Sequence, residues 1–281
     1  MNFRLYFLPL VIVFFLSSCS SSSSEPLILS EQQEKNILNE YKGLLEKKKY
    51  EKAYKKLLTL ENVNNISSYA KNELGNFYEN GIYVDKNLDS ALKYYAEAGN
   101  ENYIPAIYNV GRVRLEQGYY TEAASIFKEI ENDNFAPVFN LIGVMYNYGY
   151  DVDLEKALKY YKKAALLGNP DAQFNIGQMY FEGIGVNKDF KEAFKWYTLS
   201  ANQNYSLAEI QLATLYFKGY GVGANINTAI EIIKPLAING NPDAIYNLRL
   251  YYKKLNNSKD YEYWDKVCKK TMIVIFDFKF F

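Results

Sequence analysis

The chain has 281 residues, 49% of them hydrophobic and 23% charged, which is globular composition and excludes global disorder. Lysine plus arginine equals aspartate plus glutamate at 32 each, so no cationic excess exists to neutralise phosphates and nucleic acid is excluded as a partner class. Histidine is absent, which removes Ser-His-Asp and Cys-His nucleophile pairs, His-ligated zinc and imidazole pH switches, and neither of the two cysteines sits in a CxxC.

Residues 1–18 read as a secretory signal: Arg4 supplies a thin basic region and Leu5 to Leu16 an apolar run too short to span a bilayer. The run ends in Leu16-Ser17-Ser18-Cys19, which resembles a bacterial lipobox. That resemblance implies that Cys19 is acylated and becomes the first residue of the mature chain. Several acyl chains, each worth about 0.8 kcal/mol per buried methylene, anchor a protein stably to a membrane. Ser20 to Ser24 and Glu25-Pro26 form a polar tether, assigned to 19–30. Because Ser20 rather than Asp follows the cysteine, the expected address is the outer membrane, facing the periplasm.

A stretch of helical periodicity over 31–47 precedes Lys49-Tyr-Glu-Lys-Ala53, which reads as the start of a second helix, so 31–66 is expected to form one helical hairpin. Beyond it the chain repeats. Gly75, Gly111, Gly143, Gly177, Ala213 and Arg249 are spaced by 36, 32, 34, 36 and 36 residues. The alanines 91, 123, 157, 193 and 229 follow the first five of these at 16, 12, 14, 16 and 16 residues. A small residue (106, 138, 172, 208, 244) then always falls 15 further on, and the next repeat position five beyond that. All length variation is confined to one loop per repeat, as in an array of helical hairpins.

Within a repeat the first helix begins at words such as Asn169-Pro170-Asp171 and Asn241-Pro242-Asp243, which supply an N-cap, a proline and a first-turn carboxylate. The loops read Gly81-Ile-Tyr-Val84, Gly149-Tyr-Asp-Val152, Gly183-Ile-Gly-Val186 and Gly219-Tyr-Gly-Val222. A glycine at positive φ is expected to end each helix, with the valine turning back into the core. A phosphate cradle is rejected, since no Lys-Ser/Thr follows the glycines. The second helix carries Ala-x-x-aromatic-aromatic, as in Ala193-Phe-Lys-Trp-Tyr197.

The words Ala172-Gln-Phe-Asn-Ile-Gly-Gln-Met-Tyr-Phe-Glu-Gly-Ile-Gly-Val186 and Glu192-Ala-Phe-Lys-Trp-Tyr197 resemble the Sel-one-like repeat family, a tetratricopeptide-repeat variant with a longer inter-helix loop. The likeness runs over residues 67–242. It weakens in 243–270, where Arg249 takes the small position, and the unit at Gly111 lacks the long loop. The resemblance implies an all-α, right-handed α/α superhelical solenoid of seven hairpins, with the array at 67–270; the apolar tail at 271–281 has β character, fits no repeat, and is read as capping the last hairpin ahead of pairing with a partner's sheet edge or being a tolerated tail. Cysteine-stapled members of the family are not matched, so their activities are not carried over.

Similar tetratricopeptide arrays line their concave groove with first-helix residues three before, one after and four after the small position. By that resemblance the groove-binding residues are Asn72, Asn76, Tyr108, Arg112, Asn140, Asn147, Phe174, Gln178, Phe181, Phe217 and Tyr246, joined by Glu79. The list favours a mixed apolar and amide-bonding groove. With no nucleophile–base pair and mixed Lys-Glu faces, the chain reads as a non-enzymatic, cofactor-free scaffold binding a protein partner. The rival is a glycan- or peptidoglycan-binding lipoprotein of polysaccharide export or cell-wall assembly, with Tyr108, Phe174 and Phe217 stacking on sugar rings. Cys268 is assigned a buried packing role, four residues beyond the Tyr263-Trp264 pair as Ala165, Ala201 and Ala237 lie beyond theirs.

Overall fold

The computed structural model describes residues 29–60, 63, 66–149 and 152–277, with side chains to residue 271. Cys19, the signal segment and most of the tether lie outside the described residues. Ser30 opens the fold as an N-cap: its hydroxyl accepts from the Gln33 amide and Gln33 Oε1 accepts from the Ser30 amide at 2.8 Å.

Fourteen α-helices pair into seven hairpins among the described residues, with no strand. They are α1 (Glu31–Glu46) with α2 (Tyr50–Leu58), α3 (Ser68–Asn80) with α4 (Leu88–Gly99), and α5 (Ile104–Glu116) with α6 (Tyr120–Glu129). After a 3₁₀ turn at Glu131–Asp133 come α7 (Ala136–Tyr148) with α8 (Leu154–Leu166), and α9 (Pro170–Glu182) with α10 (Phe190–Ala201). The array closes with α11 (Ser206–Lys218) and α12 (Ile226–Ile238), then α13 (Pro242–Lys254) and α14 (Ser258–Asp277). Each helix packs mainly on the next in sequence, which is the expected solenoid.

What closes four of the seven hairpins is a bare backbone pressed against a ring. A Cβ at Gly75 would stand 2.5 Å from the Tyr95 ring, at Gly111 2.4 Å from Phe127, at Gly143 2.5 Å from Tyr161 and at Gly177 2.6 Å from Tyr197. These rings are buried, and so are the small residues Ala106, Val138, Ala172, Ala208 and Ala244 that let the next hairpin approach. The repeat position and the ring are matched by volume along the chain: Ala213 faces the smaller Ile233, and both are fully buried.

The caps follow the sequence. Asn169 Oδ1 accepts from the Ala172 amide at 2.7 Å and Asn241 Oδ1 from the Ala244 amide at 2.9 Å. The second helices entered by a long loop are capped by Asn87, Asp153, Asp189 and Asn225, whereas α2 and α6, entered by a tight turn, have no side-chain cap.

Four expectations are revised. Gly81, Gly183 and Gly219 end their helices at φ 64°, 78° and 75°, but Gly149 is extended at φ −80°. Val84, Val186 and Val222 pack into the core, while Val152 is 55% exposed. The tail set apart from the array at 271 is continuous with it at its start: α14 runs on to Asp277, because extending an existing helix escapes the cost of nucleating one. In the last hairpin the register is one residue off the expectation. Its tight turn puts Asp265, sixteen residues past Arg249, where Phe127 stands sixteen past Gly111, and Arg249 Nη1 meets Asp265 Oδ1 at 2.9 Å in place of the glycine–ring contact. Cys268 therefore corresponds to Ala164 and Ser200, and it is buried as expected.

The glycine–ring contact makes a quantitative demand. Gly177→Ala is expected to destabilise the fold by about 2 kcal/mol through overpacking against Tyr197. Gly177→Ala with Tyr197→Ile reproduces the Ala213/Ile233 pair, so urea unfolding followed by circular dichroism should find the double variant more stable than the sum of the singles by about 1 kcal/mol. Strict additivity would show that the ring does not set the small position.

Candidate binding face

The first helices approach one another directly, α3 with α5, α5 with α7 and α11 with α13, so they line one side of the array. The groove expected from sequence lies on this side. Its polar members are fastened to the core from below, because each buried ring ends in a hydroxyl that emerges there.

Between the second and third hairpins the Tyr95 hydroxyl lies 2.8 Å from Asn76 Oδ1 and 2.6 Å from Glu79 Oε2. Arg112 Nη2 donates to both Glu79 oxygens at 2.7 and 2.6 Å, and Nη1 donates to Glu116 at 2.8 Å. Burial pushes the Glu79 carboxyl up, but the bonds from Arg112 and Tyr95 outweigh it and hold the group below the usual glutamate range. Burial likewise disfavours the Arg112 cation, yet its bonds to Glu79 leave it more firmly protonated than an ordinary arginine. Burial first, then the bond to Glu79, pushes the Tyr95 hydroxyl far above its usual value, so it is a permanent donor. Farther along, Tyr197 donates to Gln178, and Asn147 Nδ2 donates to the Tyr161 hydroxyl at 3.5 Å.

A second row ties neighbouring first helices together. Asn109 Nδ2 donates to Asn72 Oδ1 at 2.9 Å, and Asn175 Nδ2 donates to Asn140 Oδ1 at 3.0 Å. Asn72 is 5% exposed, so its amide serves the joint between hairpins. Glu73, which the offsets taken from tetratricopeptide arrays skip, accepts from the Tyr41 hydroxyl at 2.6 Å and from Asn76 Nδ2 at 3.1 Å. Only the contact across hairpins reveals it.

The aromatic candidates are engaged in packing. Phe174 lies against Tyr197 and Tyr205 with centroids at 5.7 and 5.5 Å, and Phe181 against Phe190 at 5.4 Å. Tyr108 meets Phe135 edge-on at 5.4 Å, and Phe217 stacks on Tyr251 at 4.5 Å. Tyr246 stands apart at 48% exposed, with the Arg249 guanidinium 5.1 Å over its ring. The structure thus gathers Asn76, Glu79 and Arg112 into one charged cluster and leaves Asn140, Asn147 and Gln178 as a half-buried amide row. Phe174, Phe181, Tyr108 and Phe217, at the same offsets as the amides, are partly buried against neighbouring rings.

The Sel1 repeat matches residues 68–103, 140–169, 170–205 and 206–241, leaving out the tight-turn hairpins α1/α2, α5/α6 and α13/α14. The chain is a Sel1-repeat protein. The Sel1 repeat protein from Oxalobacter formigenes superposes with a TM-score of 0.68 at 26% identity, covering 83% of this chain and 98% of that one. The protein c5321, a protective antigen present in uropathogenic Escherichia coli strains and displaying an SLR fold, gives a TM-score of 0.55 at 29% identity over 66% of this chain and 41% of that one. Protein sel-1 homolog 2 from Homo sapiens is 36% identical over 181 residues, 57% of this chain and 26% of that protein. The chain spans about a quarter of the length of the curated relatives it matches.

The Glu79–Arg112 pair couples two hairpins to pH. Since the folded Glu79 titrates below its unfolded value, its contribution is complete above the ordinary glutamate range, roughly pH 4.3, and is lost as pH falls through the lowered value. Glu79→Gln should lower stability by about 2 kcal/mol at pH 7 and flatten this part of the acid-unfolding profile. Urea unfolding at a series of pH values checks it, and parallel profiles for variant and wild type would refute the assignment.

Proposed function

We propose that this chain is a membrane-anchored scaffold that holds a protein partner along the face of its first helices, at the bacterial cell envelope. Sel1 repeats are a scaffold fold of the kind used for protein–protein interaction. The observation that carries the reading for this chain is the polar row of Asn76, Glu79, Arg112, Asn147 and Gln178, each fixed by a ring hydroxyl or a neighbouring side chain. Groups already immobilised lose little side-chain entropy when a partner's peptide groups bind them. Repeated along the array, such groups suit an extended segment or a helix laid across several hairpins.

The same geometry favours protein over sugar. The rings that a pyranose would need, Tyr108, Phe174 and Phe217, already rest on other rings. The anchoring half of the proposal rests on Leu16-Ser-Ser-Cys19 and the serine run behind it, and Ser20 favours the outer membrane.

A photo-crosslinker placed at Gln178 or Tyr246, with exposed Lys191 on the second helix α10 as control, tests the face. A discrete protein adduct from the first two positions alone is expected. Equal labelling from all three, or glycan adducts only, would retire it. For the anchor, mass spectrometry should find the mature N-terminus at an acylated Cys19, and Cys19→Ser should move the chain out of the membrane fraction. An unmodified Cys19 would end that half of the proposal.

A further inference from the structure

In hairpins α9/α10 and α11/α12 the loop is seated on the start of the second helix of the hairpin before it. A Cβ at Gly185 would stand 2.6 Å from Leu154 Cβ, the first residue of α8, and a Cβ at Gly221 would stand 2.1 Å from the backbone oxygen of Phe190, the first residue of α10. Tyr220 completes the second seat by stacking on Phe190 at 4.6 Å. In the sequence, the loop of hairpin α7/α8 carries Asp151 where these glycines stand. On the α6 side, Val152 of that loop is 55% exposed.

A cleft of about 670 Å³ lies at this place, within the size range of small-molecule sites. Leu115, Ile142 and Met145 line it, as does the α6 stripe Tyr120, Ala124 and Lys128, spaced four residues apart along one helix face. The neighbouring stripe of α6, Ala123 and Phe127, is buried together with Ile130 just past its end. Tyr120 is 55% exposed and Tyr148, at the rim, 70%. The charges are not balanced. Glu131 accepts from the Tyr160 hydroxyl at 3.0 Å and from Lys163 at 3.4 Å, whereas Lys128 makes no ion pair among the described residues.

We propose that the α6–α7 cleft binds a small amphiphilic anion, with its apolar body between Leu115, Ile142 and Met145 and its negative group at Lys128. Apolar walls supply affinity by removing the body from water, and one unpaired ammonium at the edge selects the sign of the head group. The cleft shares Leu115 and Val144 with the face of the first helices, but no residue of the polar row lines it, so its test is independent of the scaffold reading.

Calorimetric titration of the full chain with naphthalene-2-sulfonate, and with naphthalene-2-methanol as the neutral probe, tests this. The expected result is saturable one-to-one binding of the sulfonate, weakened at least fivefold by Lys128→Gln, with the neutral probe unaffected by that change. Ala124→Trp, and independently Thr121→Trp, should fill the cleft and abolish binding of both probes without moving the thermal midpoint, since both positions are exposed. Absence of saturable sulfonate binding, or binding untouched by both tryptophan variants, would overturn the site. Equal affinity for the two probes, or indifference to Lys128→Gln, would overturn its anion selectivity.

Discussion

The contact on which the molecule depends is a helix backbone laid bare by glycine against the face of a buried ring. No side chain stands between Gly75 and Tyr95, Gly111 and Phe127, Gly143 and Tyr161, or Gly177 and Tyr197, so the helices of a hairpin approach as closely as their backbones allow. Where the residue on one side grows, the other must shrink or change character. Ala213 is met by Ile233, and Arg249 by Asp265 through a charged bond. At the opposite end Tyr41 occupies the repeat position and Leu57, sixteen residues on, the ring position, so the large residue has changed sides. The departures thus fall toward the ends of the array, where a hairpin lacks a neighbour on one side and the demands on its packing differ.

That contact also builds the binding face. A tyrosine long enough to cover the glycine reaches past it, and its hydroxyl surfaces among the first-helix side chains, where it bonds to Asn76 and Glu79, to Asn147, or to Gln178. Phe127 has no hydroxyl, and in its hairpin the residue after the glycine, Arg112, turns instead to Glu79 and Glu116. Core packing and the polar row are one arrangement seen from two sides. A substitution at a buried ring would be felt on the face without touching a partner.

The period, the hairpin count and the cap residues were legible in the sequence because packed helices fix their own lengths and push all variation into one loop. The charged cluster was half legible: Asn76, Glu79 and Arg112 sit at offsets known from similar arrays, but their joining depends on a contact across 33 residues. Asn72 illustrates the opposite failure. Its offset marks it for the groove, yet Asn109 of the next hairpin claims its amide. Loop words misled where the surroundings differ. Gly149 and Val152 occupy the same places as Gly183 and Val186, but the hairpin before them is the tight-turn one, and it presents a different surface. The register at Cys268 slipped for the related reason that an aromatic pair, Tyr263-Trp264, stands one residue before the place where Asp265 does the pairing.

Tight turns have a consequence beyond their own hairpins. Of the second helices they lead into, the two followed by another hairpin, α2 and α6, span 9 and 10 residues against 12 or 13 in the hairpins with long loops, so they offer the next hairpin less surface. The joints that follow them, α2 with α3 and α6 with α7, are the sparsely packed ones of the array, while α4 with α5, α8 with α9, α10 with α11 and α12 with α13 are closely packed. In a quasi-one-dimensional fold, stability is a sum over such joints, and the flanks reorient most easily where a joint is weakest. The loss at α2/α3 is made up by Tyr41 and Tyr54, whose rings pack on Phe77 of α3 at 6.2 and 5.0 Å. At α6/α7 Tyr108 on Phe135 does part of that work from the α5 side, and the α6 side is left open as the cleft. The α6/α7 joint is thus sparsely packed and open to a cleft among the described residues, so a molecule bound there would add to the rigidity of the array.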